Sequence, residues 1–409
     1  MRGWLTAAVN MARKLQRRLT NRAAWAAKVS EEGVNDARHA VRRAGEQARD
    51  EGVNSAKRLY RRVRRPVRAA GRRRRQIEEQ WGFYRTEWEI ERELETLVAR
   101  GRLLVAGPWL SEVGFETLYW IPFLHWVKAA FRLPEDRVVA VSRGGVGSWY
   151  AGVASRYIEI WDLIDPAEFA RRNAARGVTK HFEASAVDDD ILEGVARRLG
   201  THDFDVIHPG LMYRLFSLYW SGQRAMGFVD AHTRFTRHTI APVVDPSLLP
   251  RDYIAVKFYG ARSLPDTPEM RTLLRRVVGA LAEQLPVVLL DTGLLLEDDH
   301  SDYSFGGADV ISARDWMTPQ TNLGVQAQIT AGARAFVGTC GSIAWLAPRL
   351  GVNTSAMFVD PSWLHAHVAV AMRAYHKLDA GRFAVTDLRA LDPAGAGSLV
   401  AAARADVRL

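Results

Sequence analysis

The chain has 409 residues, a net charge of +10 and 48% hydrophobic residues, which is enough for two or three domains with sizeable cores. Its single cysteine excludes a disulfide framework and a cysteine-based zinc site. The most apolar stretch, residues 114–131, is interrupted by Glu116 and Lys128, so the sequence predicts no membrane-spanning helix.

The positive charge is concentrated at the N-terminus. Residues 1–75 carry 22 Lys and Arg against 6 Asp and Glu, whereas the other residues carry 34 against 40. The chain is therefore a basic arm on a mildly acidic body. A body that bound nucleic acid through its own surface would have the opposite balance.

The arm has the pattern of a membrane-surface helix. Between Trp4 and Leu19, apolar residues occupy one half of a helical projection and arginines and lysine the other. A dense arginine cluster at residues 61–75 suits anionic lipid head groups. We predict that residues 1–75 form a basic helical arm that binds an anionic membrane surface. Nucleic acid or another acidic partner, a transit peptide and a plain solvated helix are the alternatives.

A charged helical connector, residues 76–100, precedes the first group of alternating strands and helices. Repeated βα units of this kind predict a parallel sheet covered on both faces. We assign residues 101–240 to an N-terminal Rossmann-like domain. Its predicted elements are a strand at 103–106, a helix at 115–131, a strand at 138–142, a glycine-rich loop at 143–148 followed by a helix, and a strand at 204–207.

The pattern starts again after residues 239–250, which contain three prolines and resemble a linker. We assign residues 250–409 to a C-terminal Rossmann-like domain. The predicted fold class is therefore α/β, with two tandem Rossmann-like domains and a ligand cleft between them, at the carboxyl ends of the strands. The predicted elements are strands at 253–258, 287–290, 335–337 and 357–359, and helices at 270–284 and 320–331.

Residues 336–352, FVGTCGSIAWLAPRLGV, predict a strand, a tight polar loop and a helix. Backbone N–H groups at a helix start have no partner within the helix and can bind an anion. The alternative is that Ser342 or Thr339 only caps the helix.

Residues 326–359 resemble the donor side of GT-B glycosyltransferases, and most closely the ADP-heptose:lipopolysaccharide heptosyltransferase group. The sequence departs from that group at Thr339-Cys340, where Asn-Asp or Pro-Asp is common, and at Ala344-Trp345, where a small residue plus histidine is expected. Bacterial fucosyltransferase-like GT-B enzymes are the alternative. The resemblance implies that residues 101–240 form the acceptor domain and residues 250–409 the nucleotide-sugar donor domain. It also implies a glycine-rich loop that holds the diphosphate of a nucleotide sugar, and a general base in the first loop of the N-terminal domain.

Transfer from a nucleotide diphosphate sugar requires stabilisation of the leaving diphosphate, and without a metal this is done by helix N-termini, Lys and Arg. We expect no metal and no cofactor. The candidate donor-binding residues are Lys257, Arg262, Thr339, Gly341 and Ser342.

An inverting enzyme also needs a carboxylate that takes the proton of the acceptor. Glu112 and Glu116 are the candidates, and Glu112 is preferred because Glu116 can instead complement the helix dipole. The candidate acceptor-binding residues follow the first two strands and are Trp109, Arg143, Gly144 and Gly145.

P-loop, zincin and α/β-hydrolase motifs are absent from the sequence. The acidic stretch 297–300 is interpreted as a solvated loop rather than a metal site. The sequence predicts a cytoplasmic glycosyltransferase, peripheral at the inner membrane face, that transfers a sugar to a cell-envelope or lipid-linked glycan. A sugar-nucleotide 2-epimerase and a non-catalytic membrane-docked scaffold are the alternatives.

Overall fold

The computed structural model describes residues 35–36, 38–39, 82, 84–176, 181–294, 301–378 and 380–390. The predictions for the amphipathic segment between Trp4 and Leu19, for the arginine cluster at 61–75 and for the acidic stretch at 297–300 lie outside these residues. The chain divides into two compact units, Met1–Glu87 and Trp88–Leu409, and both sheets lie in the second unit. Among the described residues, no helix combines the length and the apolar character that crossing a bilayer requires.

The first half of this unit is a four-stranded parallel sheet in the order β3-β2-β1-β4. Val105 in the central strand β1 pairs with Val139 on one side and Val206 on the other. Its elements are α1 (88–99), β1 (Leu103–Ala106), α2 (Val113–Phe115, Glu116–Trp120 and Ile121–Phe131 in succession), β2 (Val138–Ser142), β3 (Arg156–Glu159), α3 (Pro166–Arg176), α4 (Ala186–Leu199), β4 (Phe204–Ile207), α5 (Pro209–Trp220) and α6 (Met226–Ala231).

The second half is a six-stranded parallel sheet in the order β10-β9-β8-β5-β6-β7. Val256 in β5 pairs with Leu289 and Val337, so the centre of this sheet is also built from branched apolar side chains. Its elements are β5 (Ile254–Lys257), α7 (Pro268–Ala282), β6 (Val287–Leu289), β7 (Val310–Ser312), α8 (Asn322–Gly332), β8 (Ala335–Thr339), α9 (Ile343–Leu346), β9 (Asn353–Phe358), α10 (His365–Leu378) and β10 (Phe383–Asp387).

One hydrophobic core connects the two halves. Trp120 from α2 and Phe336 from β8 are both buried in the same cluster of apolar side chains. Arg349 is fully buried. It donates to the carbonyl oxygens of Thr117 in α2 and of Thr236 in the segment between α6 and β5, at 2.6 and 2.9 Å. The two halves therefore share buried apolar and polar contacts.

The predicted α/β class with two parallel sheets is confirmed, but two local predictions were wrong. The glycine-rich loop is followed by a 3₁₀ turn, Gly147–Tyr150, and then by the edge strand β3 instead of a helix. The helix after Ser342 is the single turn α9, which continues as the 3₁₀ segment Ala347–Leu350. Pro348 explains this ending because it lacks the N–H that would continue the α-helical ladder.

The helix α2 contains one π-helical turn, Glu116–Trp120, between its two α-helical parts. Such turns are rare and often lie at functional sites. The domain boundaries assigned from the sequence stay predictions.

Candidate functional site

A cleft of about 590 Å³ lies between the two halves, within the usual size range of ligand sites. Lys257 is the last residue of β5, Cys340 follows β8, and Glu112 lies in the loop after β1, so the cleft opens at the carboxyl ends of strands from both sheets. Its walls are formed by Glu112, Val113, Gly114, Phe115, Leu118, Tyr119, Lys257, Tyr259, Ala261, Arg262, Ser263, Thr292, Leu294, Asp302, Asn322, Leu323, Gln326, Cys340, Gly341, Ser342, Trp345, Trp363, Leu364 and His367.

Lys257 is held in place by a buried network. Its Nζ donates to Asp302 Oδ1 and to the Leu290 carbonyl oxygen, both at 3.0 Å. The other Asp302 oxygen accepts from the backbone N–H and the hydroxyl of Thr292, at 2.8 Å each. Burial acts to raise the pKa of Asp302, but Lys257 and the Thr292 donors outweigh it and hold the pKa below its usual value. An ammonium has three donors, so one remains for a ligand beyond these two bonds.

Arg262 lies at the rim of the cleft, where its guanidinium is 4.2 Å from the centre of the Trp363 ring. The Trp363 side chain is 59% exposed, which is unusual for tryptophan. The stacking restricts the arginine while leaving its N–H edges available to an anion. The sequence did not single out Trp363, since nothing local connects it with Arg262.

Gly341 and Ser342 line the cleft, as expected for the loop after β8. Gly341 has φ +146°, and a Cβ at this position would lie 2.5 Å from the Tyr259 hydroxyl, so the close approach of Tyr259 requires glycine. Ser342 has φ +43°, which is uncommon for a residue with a side chain and is found at functional loops.

The predicted donor loop differs in two respects from the structure. Thr339 is buried and is absent from the walls of the cleft, because its hydroxyl accepts from the Tyr259 N–H and donates to the Tyr259 carbonyl oxygen, at 3.0 and 3.2 Å. In addition, α9 has only four residues, which gives a small macrodipole. An anion at this loop would therefore be bound by the backbone N–H groups of Gly341 and Ser342 and by the Ser342 hydroxyl, and little by a helix macrodipole. Burial raises the pKa of neighbouring Cys340 to about 12, which keeps it a thiol.

The two candidate carboxylates have different environments. Glu112 is half-buried and lines the cleft. Glu116 is fully buried, and its Oε1 accepts hydrogen bonds from the Ser142 and Tyr150 hydroxyls, at 2.5 and 2.6 Å. Burial and the adjacent Glu116 raise the pKa of Tyr150, so Tyr150 remains a donor. The structure thus brings Glu112 to the site and places Glu116 inside the first half.

The predicted acceptor residues Trp109 and Arg143 are not among the residues that line the cleft. Trp109 is fully buried and stacks on Trp120 and Tyr213, with ring centres 5.7 and 6.0 Å apart. Arg143 is also buried and donates to the carbonyl oxygens of Trp109 and Ser111. Both side chains support the loop that carries Glu112.

Gly144 and Gly145 do bind an anion, but it is a carboxylate of the chain itself. Their backbone N–H groups donate to the two oxygens of Glu159, at 3.0 and 2.8 Å. On its other side the loop contacts α8, where the Gly324 N–H donates to the Gly144 carbonyl oxygen at 2.8 Å. The glycine-rich loop is therefore a contact between the two halves in this structure.

Tyr119 and His367 form a second polar contact between the halves, which sequence reasoning missed. The Tyr119 hydroxyl is 2.7 Å from His367 Nδ1, and both residues line the cleft. Burial raises the pKa of Tyr119 well above its usual value, so the phenol keeps its proton.

A histidine–carboxylate cluster of His181, Asp188 and His208 lies outside the cleft. His181 Nε2 and His208 Nε2 lie 2.6 and 3.3 Å from Asp188 Oδ1. However, His208 Nδ1 accepts the Gly210 N–H at 3.0 Å, so in neutral His208 the proton is on Nε2. Metal-bound histidine instead donates its second ring N–H. These residues do not fit a metal centre.

Two parallel α/β halves that enclose a cleft at the carboxyl ends of their strands are consistent with a GT-B-like fold. Among solved structures, the chain is similar to ADP-heptose lps heptosyltransferase II of E. coli, with 13% identity over 64% of this chain and 87% of that chain, and a TM-score of 0.36. It is also similar to a glycosyl transferase family 9 protein of Veillonella parvula (13% identity, 75% and 97% covered, TM-score 0.35).

A third similar structure is E. coli heptosyltransferase WaaC with ADP (14% identity, 75% and 99% covered, TM-score 0.35). Two of these three solved structures are heptosyltransferases, the group that residues 326–359 resemble in sequence. No protein-family model and no curated protein matches the chain.

Proposed function

We propose that this protein is a GT-B-type glycosyltransferase that takes a sugar from a nucleotide diphosphate sugar. The observation that carries the proposal is the composition of the cleft. One half supplies two cations, Lys257 and Arg262, and the opposite half supplies a carboxylate, Glu112. Glycosyl transfer needs positive charge at the leaving diphosphate and a base at the acceptor hydroxyl.

In this proposal the diphosphate lies between Lys257, Arg262 and the loop at Gly341 and Ser342. The remaining Lys257 donor, the Arg262 N–H groups and local donors of Gly341 and Ser342 stabilise the negative charge that develops on the leaving group. In this proposal these groups supply the stabilisation without a metal.

Glu112 is the proposed general base. It takes the proton of the acceptor hydroxyl as the oxygen attacks the anomeric carbon, and the bond to the diphosphate oxygen breaks. Attack from the face opposite to the diphosphate would invert the anomeric configuration. The position of Glu112 on the half opposite to Lys257 supports this assignment, because donor and acceptor then approach from different walls of the cleft.

We further propose that the acceptor is a cell-envelope or lipid-linked glycan and that the enzyme acts at the inner face of the membrane. The basis is the sequence of residues 1–75, in which an amphipathic segment precedes an arginine cluster. A membrane-bound arm would keep the cleft close to an acceptor carried by lipid.

The proposal is tested by the binding of ADP-, GDP-, UDP- and dTDP-linked sugars to the full chain, measured by thermal shift and calorimetry. At least one should bind, and Arg262→Gln should weaken this binding by about 10-fold, because a charge-assisted contact is lost. Arg334→Gln is the matched control, since Arg334 is an exposed arginine outside the cleft that pairs with Asp252. If no nucleotide sugar binds, or if both variants bind equally well, the proposal is wrong.

A further inference from the structure

We propose that Gln326 binds a hydroxyl group of the transferred sugar and thereby determines which sugar the enzyme accepts. This inference rests on the proposed function. Gln326 lines the cleft from α8, and only 1% of the residue is exposed.

The orientation of the Gln326 amide is fixed by its neighbours. Asn322 Nδ2 donates to the Pro319 carbonyl oxygen at 2.8 Å, which assigns the other side-chain atom of Asn322 as oxygen. Gln326 Nε2 lies 3.4 Å from this oxygen and donates to it. Exchanging the amide atoms of Gln326 would place two oxygens against each other. The Gln326 amide therefore points its nitrogen, Nε2, towards Asn322 and its oxygen, Oε1, away from it.

Gln326 Oε1 has no hydrogen-bond partner among the residues that the structure describes, although it is buried. A buried acceptor without a partner is costly, and native proteins contain few of them. Gln326 lines the cleft, and none of the residues that the structure describes donates to Oε1, so we infer that the partner comes from the contents of the cleft. A sugar hydroxyl or a nucleobase N–H supplies such a donor.

The position of Gln326 favours the sugar. Two residues before it, Gly324 donates its N–H to Gly144 of the opposite half, so this part of α8 lies where the two halves touch. In the proposed reaction the transferred sugar has to meet both the donor-binding half and the half that carries Glu112, whereas the reaction makes no such demand on the nucleobase. We therefore assign Gln326 to a sugar hydroxyl.

The experiment uses the full chain and the nucleotide sugar that binds it. Analogues of that donor, each with one sugar hydroxyl replaced by hydrogen, are compared with the parent by calorimetry. Binding is measured because removal of a hydroxyl also changes the reactivity of the sugar. For wild type, one analogue should bind about 10- to 100-fold more weakly, since it leaves a buried acceptor unpaired. Gln326→Met should bind that analogue and the parent with similar affinity.

Gln328→Met is the matched control, two residues further along the same helix. Gln328 accepts from the N–H groups of Val243 and Val244 and donates to the Val244 carbonyl oxygen, so it is a structural glutamine. Its replacement should lower the melting temperature of the ligand-free protein by about 2 to 6 °C. The Gln328→Met variant should still bind the parent donor more tightly than the analogue, as wild type does. Gln326→Met, which removes only one long hydrogen bond, should leave the melting temperature nearly unchanged.

The outcomes separate the two proposals. If a nucleotide sugar binds but Gln326→Met still discriminates between the analogue and the parent, the assignment of Gln326 is wrong and the proposed function stands. If Gln326→Met loses stability as Gln328→Met does, or does not fold, Gln326 is structural and the assignment is again wrong. If no nucleotide sugar binds the wild type, both proposals fail.

Discussion

Glu112 and Glu116 lie four residues apart, and their surroundings assign them different tasks. Glu112 is half-buried at the cleft, whereas Glu116 is enclosed and accepts two hydroxyl donors. A general base must reach the acceptor, and a buried hydrogen-bonded carboxylate must not be left unpaired. The same residue type is therefore expected to affect turnover at one position and stability at the other.

We expect Glu112→Gln to keep donor binding and to lower turnover by about 10² to 10⁴, because the amide cannot take a proton. Glu116→Leu should instead lower the free energy of unfolding by about 2 to 5 kcal/mol, because the Ser142 and Tyr150 hydroxyls lose their acceptor. Turnover, calorimetric binding and urea unfolding measure the three quantities. A fully active Glu112→Gln variant would show that another group acts as the base.

At the scale of elements, the glycine-rich loop at 143–148 and the helix α8 form a close contact. A Cβ at Gly324 would lie 2.7 Å from the Gly145 carbonyl oxygen, a distance that real side chains do not reach. Gly279, in the middle of α7, has open space at the same point. Both glycines lie inside helices, where alanine is intrinsically preferred.

Gly279→Ala is expected to raise the free energy of unfolding by about 0.5 to 1 kcal/mol, as helix propensity requires. Gly324→Ala should lower it by about 1 to 3 kcal/mol, because the new methyl group forces the two halves apart. Chemical denaturation of both variants checks the two signs. Stabilisation by Gly324→Ala would show that the contact between α8 and the glycine-rich loop is looser than the structure indicates.

The sequence predicted the alternation of strands and helices because burial on both faces of a parallel sheet leaves continuous apolar runs, as in Val138–Ser142. The edge strand Arg156–Glu159 was missed because half of its residues are polar. Lys257, Arg262 and Ser342 meet in one cleft because they lie at the carboxyl ends of β5 and β8, which are neighbours in one sheet, although their roles stay predictions.

Other features of the site depend on contacts between distant segments. The cation–π contact of Arg262 with Trp363, the hydrogen bond between Tyr119 and His367, and the Glu159 carboxylate in the glycine-rich loop join residues with no common local pattern. The glycine-rich loop was therefore assigned to an external ligand.

At the scale of the whole molecule, the arm and the body carry opposite net charge. We expect the full chain to bind vesicles rich in anionic lipid, to release them as ionic strength rises, and to ignore neutral vesicles. Changing Trp4, Leu5 and Leu15 to Ser should weaken binding even at low salt, since the apolar stripe supplies the part that salt does not screen. Unchanged vesicle binding by this variant, or preference for RNA or DNA at equal salt, would contradict the membrane assignment.

The contact between the two halves also predicts how stability depends on pH. Burial, together with the positive charges of Arg349 and Lys128, lowers the pKa of His125 to about 4, and burial lowers that of His238 well below its usual value. An unfolded histidine titrates near 6.5, so between about pH 6.5 and 4 the unfolded chain binds protons that the folded chain does not. Stability from these residues is therefore complete above about pH 6.5 and is lost as the pH falls towards 4.

Between about pH 6.5 and 4, His125 alone is expected to lower the free energy of unfolding by about 3 kcal/mol. Urea unfolding at pH 7.5, 6 and 5 should show wild-type stability falling with pH, and His125→Gln should fall less steeply because glutamine does not titrate. The difference between the two slopes isolates His125, because groups such as Glu159, whose pKa burial raises, contribute equally to both proteins. Parallel slopes would mean that folded His125 takes up its proton at the same pH as unfolded histidine. Water would then reach the contact between the two halves around Arg349.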